Sequence, residues 1–381
     1  MSNKKHILFL SSWYPSRVNK TLGNYVQQHA EAIAILHDVT VVYAVGEKAL
    51  SVNYEFEQFT KNNVTTIVIY FKKHSFKVVN GLRKYKSLKH GIKRAKKFDL
   101  IHGNVLLPIG IFVYFFSIKL KVPFVFTEHS TGFLTQTKMK LSSVEKLITK
   151  CVVKKSKFVL PVSNELKRDM LSLGFNANYE VIGNVIDTKL FYPTKNENEK
   201  YTILHISSFS NEQKNINGIL NVVKKLSEER SDFLFKIVGD GNILQLKNEI
   251  SLLNIRENVI QIEGVKPPYE IAKQLQGSNL YISFSNYETF GIVMLESIAC
   301  GVPVISTKTG ILYELNLTDF TTFVDAGDED GLLNSIRNSI DSQKKLDFNK
   351  MYLLIEEEYS AESIANKYTN IYCNVLKEMD S

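Results

Sequence analysis

Short apolar runs alternate along this chain with stretches in which apolar residues recur at helical spacing. The first run, His6 to Leu10, leads through a polar turn holding Pro15, Gly23 and Asn24 into a helical pattern from Tyr25 to Leu36. Asp38 to Ala44 and Val64 to Tyr70 read as further strands. Phe98 to Gly103 and Pro123 to His129 bracket an apolar segment, Val105 to Leu120, as strand, helix, strand. KFVLPVS and YEVIGNV supply two more strands around a helix from Glu165 to Leu173. The pattern restarts at Tyr201, with strands YTILHIS, FLFKIVG, NVIQIEG, LYISFS and PVIST. Helices Ile216–Glu229, Ile243–Leu253, Tyr269–Gln276 and Phe290–Cys300 separate them.

Strands alternating with helices predict parallel, doubly wound sheets, and the restart predicts two in tandem facing an interdomain cleft. The polar stretch Asp187 to Lys200, punctuated by Pro193, is the natural linker. This gives a first domain over residues 1–190, a second domain over 191–360, and a final helix over 361–381 free to pack back on the first domain. Open α/β sheets bind ligands at the carboxyl ends of their strands, where strand order reverses.

A chain of 381 residues with 44% hydrophobic content is too long for one ordinary core. The run Val105 to Ile118 contains Pro108 and Gly110 and is shorter than the about twenty residues that span a bilayer, so it reads as a buried helix. MSNKK passes straight into the first strand with no secretory pattern, and Cys151, Cys300 and Cys373 form no CxxC pair, so a cytoplasmic protein with reduced thiols is expected. The net charge of +8 is unevenly shared. Residues 1–190 carry 29 Lys and Arg against 12 Asp and Glu, and residues 191–381 carry 18 against 27.

The chemistry concentrates in ETFGIVMLE. Glu288 follows a strand, and Thr289, Phe290 and Gly291 lead into a helix that carries Glu296 about two turns on. Free amides at a helix start, around Phe290, Gly291 and Ile292, suit a diphosphate. A carboxylate deeper in the helix can accept two hydrogen bonds from vicinal hydroxyls such as those of a ribose. Lys214, after the strand YTILHIS, offers a compact ammonium to a departing phosphate.

The stretch SFSNYETFGIVMLESIACGVPVISTKTG resembles the signature of the retaining family 4 glycosyltransferases of GT-B fold, with its E-x7-E motif. ILHISSFSNEQKNINGIL is similar to the family's donor-phosphate strand and loop, and FKIVGDG to its glycine turn with Gly239. The resemblance implies a metal-independent enzyme without cofactor, with a nucleotide sugar as substrate. It implies Glu288, His129 and Lys214 as catalytic residues. It also implies donor contacts from Gly23, Asn24, Ser208, Gly239, Thr289, Phe290, Gly291, Ile292 and Glu296. Gly23 lies in SSWYPSRVNKTLGNY, which resembles the first-domain loop that closes on the donor phosphates, and His129 in TEHS resembles the histidine that meets the transferred sugar. Glu128 beside it is an alternative. Ser208 stands where the family usually has arginine, and Ile311 where it often has a second glycine.

The resemblance further implies transfer of a hexosyl unit from a UDP-sugar, or second a GDP-mannose, to a saccharide or lipid-linked saccharide in cell-surface polysaccharide or lipopolysaccharide synthesis. Retention without a protein nucleophile implies that the leaving phosphate takes the acceptor's proton. Asp328-Glu329-Asp330 has the spacing of a metal-binding carboxylate pair but reads as the acidic start of a helix. Between Lys72 and Lys97 stand eleven Lys and Arg and no acidic residue, interleaved with apolar residues at helical spacing. That is the pattern of a peripheral contact with the inner, anionic membrane surface. The rival readings are a GT-B nucleotide-sugar epimerase and a non-enzymatic basic protein binding membrane or nucleic acid. No nucleic-acid motif accompanies the basic stretch, and no GxGxxG follows the first strand as a dehydrogenase requires.

Overall fold

The computed structural model describes residues 4–195, 198–342 and 346–380. The chain divides into two compact units. One runs up to Val185 and takes back the final helix from Ala361; the other is Ile186–Ser360, so residue 190 falls inside the second unit.

The first unit is built on a seven-stranded sheet: β1 (His6–Ser11), β2 (Asp38–Glu47), β3 (Tyr54–Lys61), β4 (Val64–Lys72), β5 (Leu100–Asn104), β6 (Phe124–Glu128) and β7 (Val159–Pro161), in the order β3-β4-β2-β1-β5-β6-β7. Every pairing is parallel except β3 with β4. Ile7 lies between Val39 on one side and Leu100 on the other, and Ile7, Leu8, Phe9 and Leu10 are all fully buried. A strand covered on both faces needs such a continuous apolar run. The second unit holds β8 (Tyr201–Ser207), β9 (Phe233–Gly239), β10 (Ile260–Glu263), β11 (Leu280–Ser283), β12 (Val304–Thr307) and β13 (Thr321–Val324). Their order is β10-β9-β8-β11-β12-β13, and all are parallel.

The order reverses beside β1 in the first sheet, between β2 and β5, and beside β8 in the second, between β9 and β11. These are the switch points at which an open sheet leaves a crevice for a ligand.

Several expectations are corrected. YEVIGNV is no strand: it runs beside β7 through a single bridge, Val159 to Tyr179, because Pro161 has no N–H with which to continue the ladder. β3, unread in the sequence, forms the antiparallel edge, and its alternating Glu55 and Glu57 keep that edge polar. Arg17 bridges Glu47 at 2.7 Å, also pairs with Glu55, and lies 3.8 Å from the centre of the Tyr70 ring. The apolar helix Leu106–Leu120 buries Ile109, Val113 and Phe116 but leaves Ile111, Phe115 and Ile118 exposed.

The final helix, Ala361–Asp380, fills one side of the first sheet's core with Ile364, Tyr368, Ile371, Tyr372 and Val375. Its polar atoms are matched as well. The Tyr372 hydroxyl lies 2.7 Å from His102 Nδ1, and the Tyr368 hydroxyl lies 3.0 Å from His29 Nδ1 and 2.9 Å from Thr127 Oγ1. His37 Nε2 meets Thr369 Oγ1 at 2.9 Å.

Candidate functional site

In the second unit, the loops leaving β8 and β11 meet across the switch point. Ser210 caps the four-residue helix Asn211–Lys214. Asn215, in the left-handed conformation, ends it and caps the next helix, Ile216–Glu229, by accepting from Gly218 N–H at 3.3 Å. This double cap fixes the direction in which Lys214 leaves the backbone. Asn286 N–H donates to the Gln213 carbonyl at 2.7 Å and its side chain to the Glu212 carbonyl at 2.8 Å, tying the loop after β11 to the same segment.

The result is an ion pair between Lys214 Nζ and Glu288 Oε1, with side-chain exposures of only 19% and 7%. The same carboxylate accepts from Ser285 Oγ at 2.7 Å, and Gln213 Nε2 approaches its other oxygen at 3.4 Å. Ser285 and Gln213 were not singled out in the sequence. The available signal for Gln213 was S-x-x-Q over 210–213, a capping pattern that marks a helix start.

The helix carrying Glu296 begins at Ile292, two residues later than expected. Gly291 sits at φ 84° and ψ 58°, a conformation outside the helix, and acts as its cap residue. Thr289 and Phe290 therefore precede the helix. Phe290 is buried against Tyr359, and its carbonyl accepts from Ile311 N–H at 2.9 Å. Gly310 makes this approach possible, since a Cβ there would lie 2.7 Å from the Phe290 oxygen. The amides of Ile292 and Val293 have no acceptor among the described residues, as the first turn of a helix requires when it is not side-chain capped.

Glu296 is just over one turn into that helix, not two, and only 8% of it is exposed. Its carboxylate has no hydrogen-bond partner among the described residues. Burial first, and then the Asp187 charge, push its pKa up to about 8. Ser208 is exposed beyond the end of β8, and Gly239 ends β9 opposite Ser207, where a side chain would collide with the Ser207 carbonyl. Asp328 is spent on Gly331 N–H at 2.8 Å as the cap of helix Glu329–Asp341, and Asp330 pairs with Lys225 at 2.9 Å. A concavity of this unit opens at the opposite end of the sheet, by Tyr201, Leu280 and Thr321 at the starts of β8, β11 and β13.

In the first unit, Gly23 caps helix Asn24–Ile33 with φ 79°; a Cβ would lie 2.6 Å from the Trp13 carbonyl carbon, so only glycine fits. Asn24 beside it is exposed. His129 follows β6 and is buried, with the tilted rings of Tyr25 at 4.4 Å and His29 at 5.2 Å between ring centres. Neither of its ring nitrogens makes a hydrogen bond of ordinary geometry among the described residues, although the Asn184 side chain is near enough to offer a weak one. Burial, reinforced by His29 and His102, holds its pKa well below the ordinary histidine value, so the ring is neutral. Glu128 is fully buried and serves the backbone instead: it accepts from Leu106 N–H at 2.7 Å, His129 N–H at 2.8 Å and Ser130 N–H at 2.7 Å. Its burial raises the pKa to about 7 against those three bonds.

Residues 22–190 match the family model described as Glycosyltransferase Family 4, and residues 186–350 the model described as Glycosyl transferases group 1. The chain is 26% identical over 310 residues to N-acetyl-alpha-D-glucosaminyl L-malate synthase of Bacillus anthracis, across 75% of this chain and 77% of that protein. It is 25% identical over 318 residues to alpha-monoglucosyldiacylglycerol synthase of Streptococcus pneumoniae, across 77% and 70%. The crystal structure of Anabaena HepE in complex with UDP and glucose superimposes with a TM-score of 0.75 at 17% identity, over 96% of this chain and 99% of that one.

Proposed function

The chain belongs to the family 4 glycosyltransferases of GT-B fold, and on that premise we propose that it transfers a hexosyl unit from a nucleotide sugar with retention of configuration. The observation that carries the reading is the Lys214–Glu288 pair at the second sheet's switch point, beside the open amides of Ile292 and Val293. A diphosphate placed there meets two N–H donors, a helix dipole and one ammonium. Ser208 supplies no second cation, so Lys214 carries the developing charge. Glu288, held by Ser285, orients the sugar hydroxyls, and Glu296 takes the ribose. For the first unit, taken by itself, the family likeness alone supports neutral His129 as a sugar contact and Gly23 and Asn24 as phosphate contacts.

In the proposed step the bond from the anomeric carbon to the diphosphate oxygen breaks as the acceptor oxygen bonds that carbon on the same face. The acceptor's proton passes to the departing phosphate oxygen. Catalysis is then largely electrostatic and needs no metal, with the acidic run at 328–330 engaged in capping and pairing. UDP is the favoured nucleotide, supported by the Anabaena protein's UDP complex, and GDP-mannose is the second choice. A saccharide or lipid-linked saccharide is the proposed acceptor, in cell-surface polysaccharide or lipopolysaccharide synthesis, at the inner face of the membrane. The name of the Streptococcus relative, a glycolipid synthase, supports the lipid-linked form.

Calorimetric titration with UDP, GDP and ADP tests the donor class. Binding of one nucleotide that Lys214→Ala weakens is the expected result; binding of none, under conditions where the protein is folded, overturns the reading.

A further inference from the structure

The helix Leu106–Leu120 is apolar on all sides, a composition that ordinarily accompanies complete burial, yet one of its faces is uncovered. Ile111, Phe115 and Ile118 stand at i, i+4 and i+7, a single stripe, with Phe115 45% and Ile118 61% exposed. The neighbouring helix, Lys77–Arg94, carries its own stripe at the same spacing: Val78, Leu82 and Tyr85, with Val78 76% and Leu82 59% exposed. Its opposite face is committed to the sheet through Leu88, Gly91 and Ile92.

Tyr85 joins the two stripes. Its ring lies edge-on to Phe115 at 5.4 Å and stacks on Phe116 at 5.6 Å with an interplanar angle of 6°. The joined face has a basic margin. Lys119 Nζ lies 5.9 Å from the Phe115 ring centre, Lys121 follows, and the eleven basic residues between Lys72 and Lys97 include the exposed Lys86 and Lys93.

We propose that these two helices form one membrane-inserting face, in which Leu82, Phe115 and Ile118 enter the acyl boundary of an anionic phospholipid surface while the lysines engage its headgroups. This deepens the proposed lipid-linked acceptor and rests on that reading. It also assigns the apolar contact to a helix outside the basic segment. An apolar strip edged by lysines matches a surface that is hydrocarbon below and negatively charged above. A second copy docked through the same face would set lysines against lysines, whereas anionic headgroups over hydrocarbon answer both the charge and the apolar strip.

The test is cosedimentation of the full chain with vesicles of phosphatidylcholine alone and of phosphatidylcholine mixed with phosphatidylglycerol, at low and at moderate salt. Wild type is expected on the mixed vesicles. Leu82→Ser/Phe115→Ser/Ile118→Ser should lower partitioning by about tenfold or more at both salt levels, whereas Lys86→Gln/Lys93→Gln should lower it mainly at low salt. UDP titration, which reads the other unit, should be unchanged in both variants, and an unchanged circular dichroism spectrum and thermal unfolding midpoint show that the substituted unit is folded. Wild-type partitioning by the triple-serine variant overturns the proposal, as does failure of wild type to bind the mixed vesicles. So does a homodimer, in the absence of lipid, that the serine variant dissociates. Loss of UDP binding in wild type would instead sink the nucleotide-sugar reading and leave the vesicle result standing.

Discussion

Lys214 and Glu288, carried by loops leaving the neighbouring strands β8 and β11, form an ion pair whose side chains are both largely withdrawn from water. A lysine that must also hold a diphosphate therefore has two competing anionic partners. Lys214→Ala is expected to lower kcat/KM by about 10²-fold or more and to weaken UDP binding. Glu288→Gln should keep the Ser285 contact, lower kcat by a similar factor and leave UDP affinity equal or tighter, because the ammonium is released. Near-wild-type transfer by Glu288→Ala would remove its catalytic assignment. Steady-state kinetics and UDP calorimetry on the three variants separate these outcomes.

Glu296 makes stability depend on pH. Its carboxyl titrates at about 8 when folded and near its ordinary 4.5 when unfolded. Below pH 4.5 both states hold the proton. Between the two values only the folded state does, so stability falls as pH rises, by up to about 1.4 kcal/mol per unit. Glu296→Gln should abolish that slope, with a Tm advantage over wild type that is larger at pH 8 than at pH 5. Thermal unfolding at the two pH values is the measurement.

The same residue should also read the ribose. Wild type is expected to prefer UDP over 2′-deoxy-UDP, and Glu296→Ala to lose most of that preference, since a buried carboxyl group with no partner among the described residues gains its hydrogen bonds from the ligand. Equal discrimination in wild type and variant, measured by competition binding, would reassign Glu296.

Gly23 and Gly174 share nearly the same backbone conformation, at φ 79° and 81°, but differ in surroundings. A Cβ at Gly23 meets the Trp13 carbonyl carbon at 2.6 Å; at Gly174 it meets nothing within 4 Å. Gly174→Ala should cost about 1 kcal/mol, from conformation alone, and Gly23→Ala clearly more, because backbone must also move. Comparing the two unfolding midpoints isolates the steric part.

Tyr372→Phe deletes one oxygen from a dry core and leaves His102 Nδ1 without its 2.7 Å partner. The expected loss is about 1–3 kcal/mol. An unchanged denaturation midpoint would mean that water takes the hydroxyl's place.

The switch points were legible because strands such as His6 to Leu10 and LYISFS are uninterrupted apolar runs, and their alternation with helices leaves few topologies. Glu288 and Lys214 were legible as motif residues, but their contact was not: it depends on Asn286 reaching back to Glu212 and Gln213, a pairing between residues some seventy positions apart. The late start of the helix at Ile292 follows from the left-handed Gly291, which a sequence reads only as a glycine. β3 escaped because the alternation Tyr54, Glu55, Phe56, Glu57 lasts only four residues before Gln58 and Phe59 reverse its phase. Glu128 and His129 are adjacent in sequence and opposite in fate, one enclosed by three amides and the other without a ring hydrogen bond of ordinary geometry; only the backbone path after β6 separates them.

The return of the last helix to the first sheet sets an order of events during synthesis. β1 to β7 leave the ribosome early, but Tyr368, Ile371 and Tyr372, which seal one side of their core, are made only after the whole of Ile186–Ser360. The second unit has all its strands before the first has its cover. A nascent chain therefore carries a half-built domain, with His29, His102 and Thr127 still lacking their tyrosine partners, through most of its translation. Premature termination after Ser360 but before the final helix is made would yield a complete second unit joined to an unfinished first one, a species for chaperones or proteases rather than a partly active enzyme.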